Sequence, residues 1–226
     1  MAKGLNIFMI CLALLSGCAR TEYKPYEANS DSPIDLSRTV YFHADRSLTE
    51  DPPDCVLVLP PPANGPPGLT SRLEKTLARH LSDRFPRVIS GSARNAKAIN
   101  LALDLDIPAD RREFTRGLDC DAVFEFRILR PKHTYMLIWS EIRIGLEARL
   151  ARGRDGRELW KARHVASRSD GGLSLTPLGL AFNAYNANSL SSDGDIVESV
   201  TEDLVRRLMK SMPVLRTNLV ETSGNQ

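Results

Sequence analysis

The sequence predicts an α/β domain, a single two-layer sandwich in which helices pack on a mixed sheet. Three observations support this prediction. Residues 55–59 form a short, uninterrupted apolar run between prolines, as in a strand that is buried on both faces. Residues 69–85 carry an apolar side chain at every fourth position, which is the stripe of an amphipathic helix. Residues 140–150 alternate between apolar and mostly charged side chains, which indicates a strand with one buried face.

The first half of the domain is predicted as two strand–helix pairs. After the strand at 55–59, Ser71 and Glu74 match a capping box near the start of the first helix, and Pro86 follows its end. A short strand at 87–90 and a helix at 93–105 complete this half.

The second half is predicted to be mainly antiparallel. Asp155-Gly156 is a strong signal for a tight turn between two paired strands. The remaining elements are, in order, a short helix at 110–117, strands at 122–129, 140–150 and 159–165, and a helix at 196–212. Apart from the short helix, the predicted order is therefore β-α-β-α-β-β-β-α.

The amino terminus has the features of an export signal. Lys3 precedes an apolar run at 5–15, which is too short to span a bilayer as a helix but suits a signal peptide. The next residues, Leu15-Ser16-Gly17-Cys18, resemble the lipobox of bacterial lipoproteins. This resemblance implies cleavage before Cys18, a diacylglyceryl group on its sulfur and an acylated amino terminus. The alternative is an ordinary signal peptide with a chance cysteine.

The lipobox sets the predicted division of the chain. Residues 1–17 are the signal peptide, 18–53 the lipidated cysteine with a polar tether, 54–213 the domain and 214–226 a flexible tail. Within the tether, 39–43 could form a short edge strand. Ala19 follows the cysteine where aspartate would retain a lipoprotein at the inner membrane, so the resemblance implies the periplasmic face of the outer membrane.

Two cysteines remain for the mature domain. Cys11 leaves with the signal peptide and Cys18 takes the lipid, whereas Cys55 and Cys120 each stand at the start of an apolar strand. In an oxidising periplasm these two could form a disulfide, provided that their strands are parallel neighbours with Cα atoms about 4.4–6.8 Å apart. The alternative is a pair of buried free thiols.

No catalytic, metal or cofactor site is predicted. None of the four histidines stands at metal-ligand spacing from another, and no nucleotide-binding or nucleophile motif occurs. The aspartates between 104 and 121 do not match the spacing of an EF-hand. The net charge of +2, without a dense basic block, gives no indication of nucleic-acid binding. No small-molecule substrate is indicated either.

Residues 171–192 form an uncharged stretch that allows two interpretations. It contains Leu178, Phe182 and Tyr185 among glycine, serine and asparagine. One interpretation is a helix whose apolar side joins the core. The other is an oligomer or partner contact through these three residues, since exposed apolar patches usually mark interfaces.

The lipobox, the "VLVLP" strand at 56–60 and the hairpin with Asp155, Gly156 and Trp160 resemble a group of periplasmic lipoproteins. This group includes the curli-secretion lipoprotein, the Pel exopolysaccharide lipoprotein, the lipoprotein activators of penicillin-binding proteins and the amino-terminal domain of TolB. The resemblance covers roughly residues 54–212 and implies their α/β fold.

Together these features predict a non-enzymatic, lipid-anchored accessory protein of a secretion or polymer-export assembly. Its partners would be the membrane, through the lipid, and further copies of itself or another envelope protein. The alternative is a monomeric regulator of a cell-wall synthase. A tether of about thirty residues spans on the order of 30 Å as a coil, which is short for such a regulator.

Overall fold

One mixed sheet lies at the centre of the computed structural model, which describes residues 21–26, 39–60, 67–129, 134–136, 139–170 and 194–215. Seven strands are ordered β1-β2-β8-β7-β5-β3-β4, and β6 pairs with β7 off this path. The strands are β1 (Glu22–Pro25), β2 (Thr39–Ala44), β3 (Cys55–Val58), β4 (Arg87–Ile89), β5 (Ala122–Leu129), β6 (Thr134–Met136), β7 (Trp139–Arg152) and β8 (Glu158–Asp170). Pairings β1–β2, β3–β4 and β3–β5 are parallel, and the others are antiparallel.

Helices pack against this sheet, so the predicted α/β fold class is confirmed. They are α1 (Ser47–Glu50), α2 (Pro67–Ser82), α3 (Gly91–Asn100), α4 (Pro108–Gly117) and α5 (Gly194–Met209). Strands and helices of the predicted domain follow in the predicted order, except that β6 is an additional strand that was not predicted. All four residues of β3 are buried, as expected for a strand with parallel neighbours on both sides.

The main core lies between α2, α5 and one face of the sheet. Leu73, Leu77 and Leu81 of α2 are fully buried, which confirms the predicted stripe. Phe124 and Trp160 stack in this core with their ring centroids 6.2 Å apart. Trp160 donates its indole N–H to Ser211 Oγ at 3.3 Å, so the buried ring leaves no unpaired donor.

A second, smaller cluster lies on the opposite face of the sheet. Cys55 and Leu57 of β3 point there and pack with Ala98 of α3 and Phe114 of α4. Because neighbouring residues of a strand point to opposite faces, β3 can contribute to both cores. The two short helices therefore cover the β3 end of this face.

The sheet begins earlier in the chain than predicted. Both β1 and β2 lie within residues 18–53, which the sequence assigned to the tether, and the domain thus starts before residue 54. Val40 of β2 is fully buried in the main core. β2 is also not the edge strand, since β1 pairs with its outer side. β2 corresponds to the short strand predicted at 39–43, whereas β1 was not predicted, because its four residues lie in a polar segment.

Two helix boundaries also differ from the predicted ones. α2 begins at Pro67, so Ser71 lies inside it and its hydroxyl donates to the carbonyl of Gly68 at 3.2 Å. The helix predicted at 93–105 begins at Gly91 and ends at Asn100. Ala102 then has a positive φ of 53°, which takes the chain out of the helical conformation.

Candidate functional site

The predicted disulfide partners lie together in the structure. Cys55 and Cys120 are joined with an S–S distance of 1.95 Å and a Cα–Cα distance of 4.7 Å. β3 and β5 are parallel neighbours, with Val56 opposite Ala122, so both cysteines lie at the same end of adjacent strands. Cys18, Leu178, Phe182 and Tyr185 lie outside the described residues.

The candidate site is the part of the sheet opposite α2 and α5 that lies beyond α3 and α4, here named the open face. Its polar side chains form two rows across neighbouring strands, where directly opposite residues are close enough to interact. One row consists of Lys161, Arg149 and Glu125. The other consists of Tyr41, Arg163, Glu147 and Arg127.

Glu147 is the centre of the second row. Arg127 donates to both of its carboxylate oxygens, at 3.1 and 3.0 Å, in a bidentate ion pair. The hydroxyl of Tyr26 donates to the same carboxylate at 3.1 Å, and Lys161 Nζ lies 3.7 Å from it. Burial raises the pKa of Glu147, but the hydrogen bonds and the charges of Arg127 and Lys161 outweigh burial and hold the pKa below its ordinary value.

Tyr26 packs over the cations of the open face. Lys161 Nζ lies 4.4 Å from the centre of its ring, and the guanidinium carbon of Arg163 lies 5.1 Å from it. Such cation–π contacts contribute about 0.5–2 kcal/mol each to stability, and the contribution is larger where the contact is shielded from water. The backbone N–H of Tyr26 donates to the carbonyl of Phe42 at 2.8 Å, which extends the pairing of β1 with β2 by one residue.

An open cleft of about 410 Å³ lies where α4 meets the open face. Arg111 of α4 donates to Glu125 at 3.1 Å, and Arg149 contacts the same carboxylate at 3.7 Å. Leu59 and Leu105 are among the residues that line it. Glu125 of this cleft is therefore already paired with two of its cations.

Two histidines of the described residues already have polar partners. Among the described residues, no cluster of three or more histidine, cysteine, aspartate or glutamate side chains could hold a metal ion. His164 is fully buried and its Nδ1 lies 3.0 Å from the carbonyl of Thr39, whereas His80 pairs with Glu202 at 3.1 Å. In the part of the chain that the structure describes, no helix is long and apolar enough to cross a membrane.

The pH dependence of stability tests the role of Glu147. Since its folded-state pKa is lowered, its contribution is present above the unfolded-state pKa and is lost as the pH falls. We expect Glu147→Gln to lower the free energy of unfolding by about 1–3 kcal/mol at neutral pH. The difference from wild type should shrink below about pH 4 in urea unfolding between pH 3 and 7.

Glu50, which is exposed at the end of α1, provides the matched control. Glu50→Gln removes the same charge outside the open face and should have a much smaller effect. A Glu147→Gln effect that is equal at all pH values would show that the ionised carboxylate does not stabilise this row.

Part of the open face was predictable from the sequence. The alternation along 140–150 placed Glu147 and Arg149 on the side away from the core, and the register confirms this. Tyr26 was missed, because a lone tyrosine in a polar segment carries no pattern. Its hydrogen bond to Glu147 joins two residues that are 121 positions apart in the chain.

No family model matches the chain, and no curated protein matches it. Several solved structures are similar to it. A lipoprotein from Neisseria meningitidis has a TM-score of 0.42 and 21% identity, covering 62% of this chain and 100% of its own. The PelC dodecamer from Paraburkholderia phytofirmans has a TM-score of 0.41 and 16% identity, covering 76% of this chain and 96% of its own.

The carboxy-terminal domain of LpoB from Salmonella enterica has a TM-score of 0.36 and 13% identity, covering 50% of this chain and 82% of its own. At these identities and TM-scores the similarity does not extend to a role. Bacterial lipoproteins are thus among the solved structures that this chain is similar to, as the sequence resemblance predicted.

Proposed function

We propose that this protein is a lipid-anchored, non-enzymatic accessory protein of the bacterial envelope. Cys18 carries the lipid and holds the domain at the periplasmic face of the outer membrane. The domain acts in a secretion or polymer-export assembly, where it associates with further copies of itself or with another envelope protein.

The observation that carries this proposal is the short distance between Cys18 and the sheet. β1 begins four residues after Cys18 and is paired with β2. Four residues span at most about 14 Å when fully extended. A lipid on Cys18 therefore holds the domain close to the bilayer. This favours a component of a membrane-bound assembly over a regulator that reaches across the periplasm.

The open face supports a binding role. Arg127 and Glu147 pair with each other, and Glu125 pairs with both Arg111 and Arg149. Arg127 is exposed and Arg149 and Glu125 are partly exposed, whereas Tyr41, Arg163 and Glu147 are buried. The exposed charges of both signs suit a protein partner, because complementary charges fix the orientation of a complex.

The anchor is tested by membrane fractionation of the full chain. Wild-type protein should remain with the membranes, and Cys18→Ser, which cannot accept the lipid, should move to the soluble fraction. Cys11→Ser is the matched control, since this cysteine lies in the signal peptide and its loss should change nothing. Recovery of Cys18→Ser with the membranes would contradict the proposed anchor.

Self-association is tested on the lipidated protein after detergent extraction. Native mass spectrometry should give a discrete oligomer. If Leu178, Phe182 and Tyr185 form the contact, replacing all three by serine should release monomers. A monomeric wild type would contradict self-association. It would favour the alternative function, a regulator of a cell-wall synthase, and crosslinking would then identify that synthase.

A further inference from the structure

β1 is an edge strand with little buried surface of its own. It has four residues, Glu22–Pro25, and among the described strands it pairs with β2 alone. Three of the four residues are exposed, and Glu22 contacts Lys24 of the same strand at 3.0 Å. Segments with few buried contacts can open locally while the rest of a domain stays folded. The attachment of β1 therefore depends on the side chains that reach from it to the other elements.

Two tyrosines fasten this segment, one on each side of the sheet. The ring of Tyr23 lies edge-on to that of Phe42 of β2, with the ring centroids 6.3 Å apart. Its hydroxyl donates to the backbone carbonyl of Arg207 in α5 at 3.2 Å. Burial raises the pKa of Tyr23 above its ordinary value, so the hydroxyl stays protonated and can donate. Tyr23 thus reaches the α5 side, whereas Tyr26 reaches the open face.

Tyr26 makes the larger set of contacts. Its hydroxyl donates to the carboxylate of Glu147, and its ring lies over the cations of Lys161 and Arg163. A hydrogen bond to an ionised carboxylate is about twice as strong as one between neutral groups. These three partners lie on β7 and β8, so all of these contacts break together when the segment leaves the sheet.

Release of β1 changes the length of chain between Cys18 and the domain. With β1 paired, Glu22 lies four residues after Cys18, a stretch that spans at most about 14 Å. With β1 released, the first residue still paired in the sheet is Thr39 of β2, which lies 21 residues after Cys18. A flexible chain of that length spans about 25 Å on average and at most about 75 Å.

We propose that residues 22–26 form a releasable strap that sets the distance between the domain and the bilayer. The docked strap holds the sheet next to the lipid. The released strap becomes part of a longer tether, while β2 and the core stay folded. The inference rests on the proposed anchor, because the strap sets this distance only if Cys18 carries the lipid.

Hydrogen exchange, followed by mass spectrometry, tests the strap in the full lipidated chain. In wild type, peptides from β1 should exchange faster than peptides from β2, because the strap opens without β2. Tyr26→Ala removes the hydroxyl and the ring together. It should raise the exchange of β1 about tenfold or more and leave that of β3 and β5 unchanged. Glu22→Gln is the matched control, since it alters an exposed residue of the same strap, and it should have little effect.

Equal exchange of β1 and β2 in wild type would overturn the proposal. So would a Tyr26→Ala variant in which β1 exchanges no faster than in wild type. An increase that is equal in β1, β3 and β5 would also overturn it, because it would show that Tyr26 stabilises the whole domain.

Energy transfer measures the distance itself, in vesicles of phosphatidylethanolamine and phosphatidylglycerol. A donor dye is attached through Arg116→Cys, an exposed position, and the acceptors are on the lipid headgroups. Tyr26→Ala should lower the transfer, and unchanged transfer despite faster exchange of β1 would contradict the role of the strap. The mass of the amino-terminal peptide separates the two proposals. A missing lipid mass contradicts the anchor, whereas a present lipid with β1 as protected as β2 contradicts the strap alone.

Discussion

Reduction of the Cys55–Cys120 disulfide is expected to lower the free energy of unfolding by about 4 kcal/mol, because the bond closes a long loop in the unfolded chain. The two cysteines are 65 residues apart, and this loop contains α2, β4, α3 and α4. The bond also joins β3 to β5 inside the smaller core, where both cysteines are buried. Urea unfolding of the protein with and without reductant measures the effect.

The double variant Cys55→Ala/Cys120→Ala separates the cross-link from the packing of the sulfur atoms. It should be somewhat less stable than the reduced wild type, because it also loses buried volume in the smaller core. Alkylation of the unfolded wild type without reductant should leave both cysteines unmodified. Alkylation of both would contradict the disulfide, and the two thiols would then lie unbonded in the core.

The position of each cysteine was predictable from the sequence, but the disulfide between them was not. Similar sequence contexts placed Cys55 and Cys120 at the starts of two strands, which was correct. Whether these strands are neighbours is not encoded in either of them. That depends on the connection through α2, β4, α3 and α4, which brings β5 beside β3.

Periodicity predicted the elements that supply most of the main core. Three patterns repeat over several turns or residue pairs. They are the apolar stripe of α2, the alternation of β7, and the four-residue spacing of Val200, Leu204 and Leu208 in α5. β1 and α1 have four residues each, which is too few for a period to be recognised. β1 is placed by its pairing with β2, and its own sequence has little influence.

The open face was predictable only as a polar surface. Alternation in β7 indicates that Glu147 faces away from the core, but it does not indicate which cation it meets. Arg127 and Lys161 come from two other strands, whose positions opposite Glu147 are set by the registers of β5 and β8. The same limit applies to Arg94, which lies within the helix predicted at 93–105 but has no pattern in the sequence that indicates its partners.

Arg94→Met is expected to lower the free energy of unfolding by about 3–5 kcal/mol, which is the cost of removing one partner of a buried ion pair. Only 2% of the Arg94 side chain is exposed. Its guanidinium donates to Glu74 of α2 and, at 2.8 Å, to the carbonyl of Val58 at the end of β3. Glu74 also accepts the backbone N–H of Gly91 at 2.8 Å, so the pair fixes the start of α3.

Two variants show whether the loss comes from the unpaired carboxylate. Arg116→Met replaces an exposed arginine of α4 and should have little effect on urea unfolding. Arg94→Met/Glu74→Gln removes both charges and should recover a large part of the stability, since the main penalty of the single variant is the largely buried Glu74 carboxylate left without its cation. If the double variant is as unstable as Arg94→Met, the hydrogen bond to Val58 and the packing of the arginine stem hold α3 on the sheet, and the ion pair contributes little.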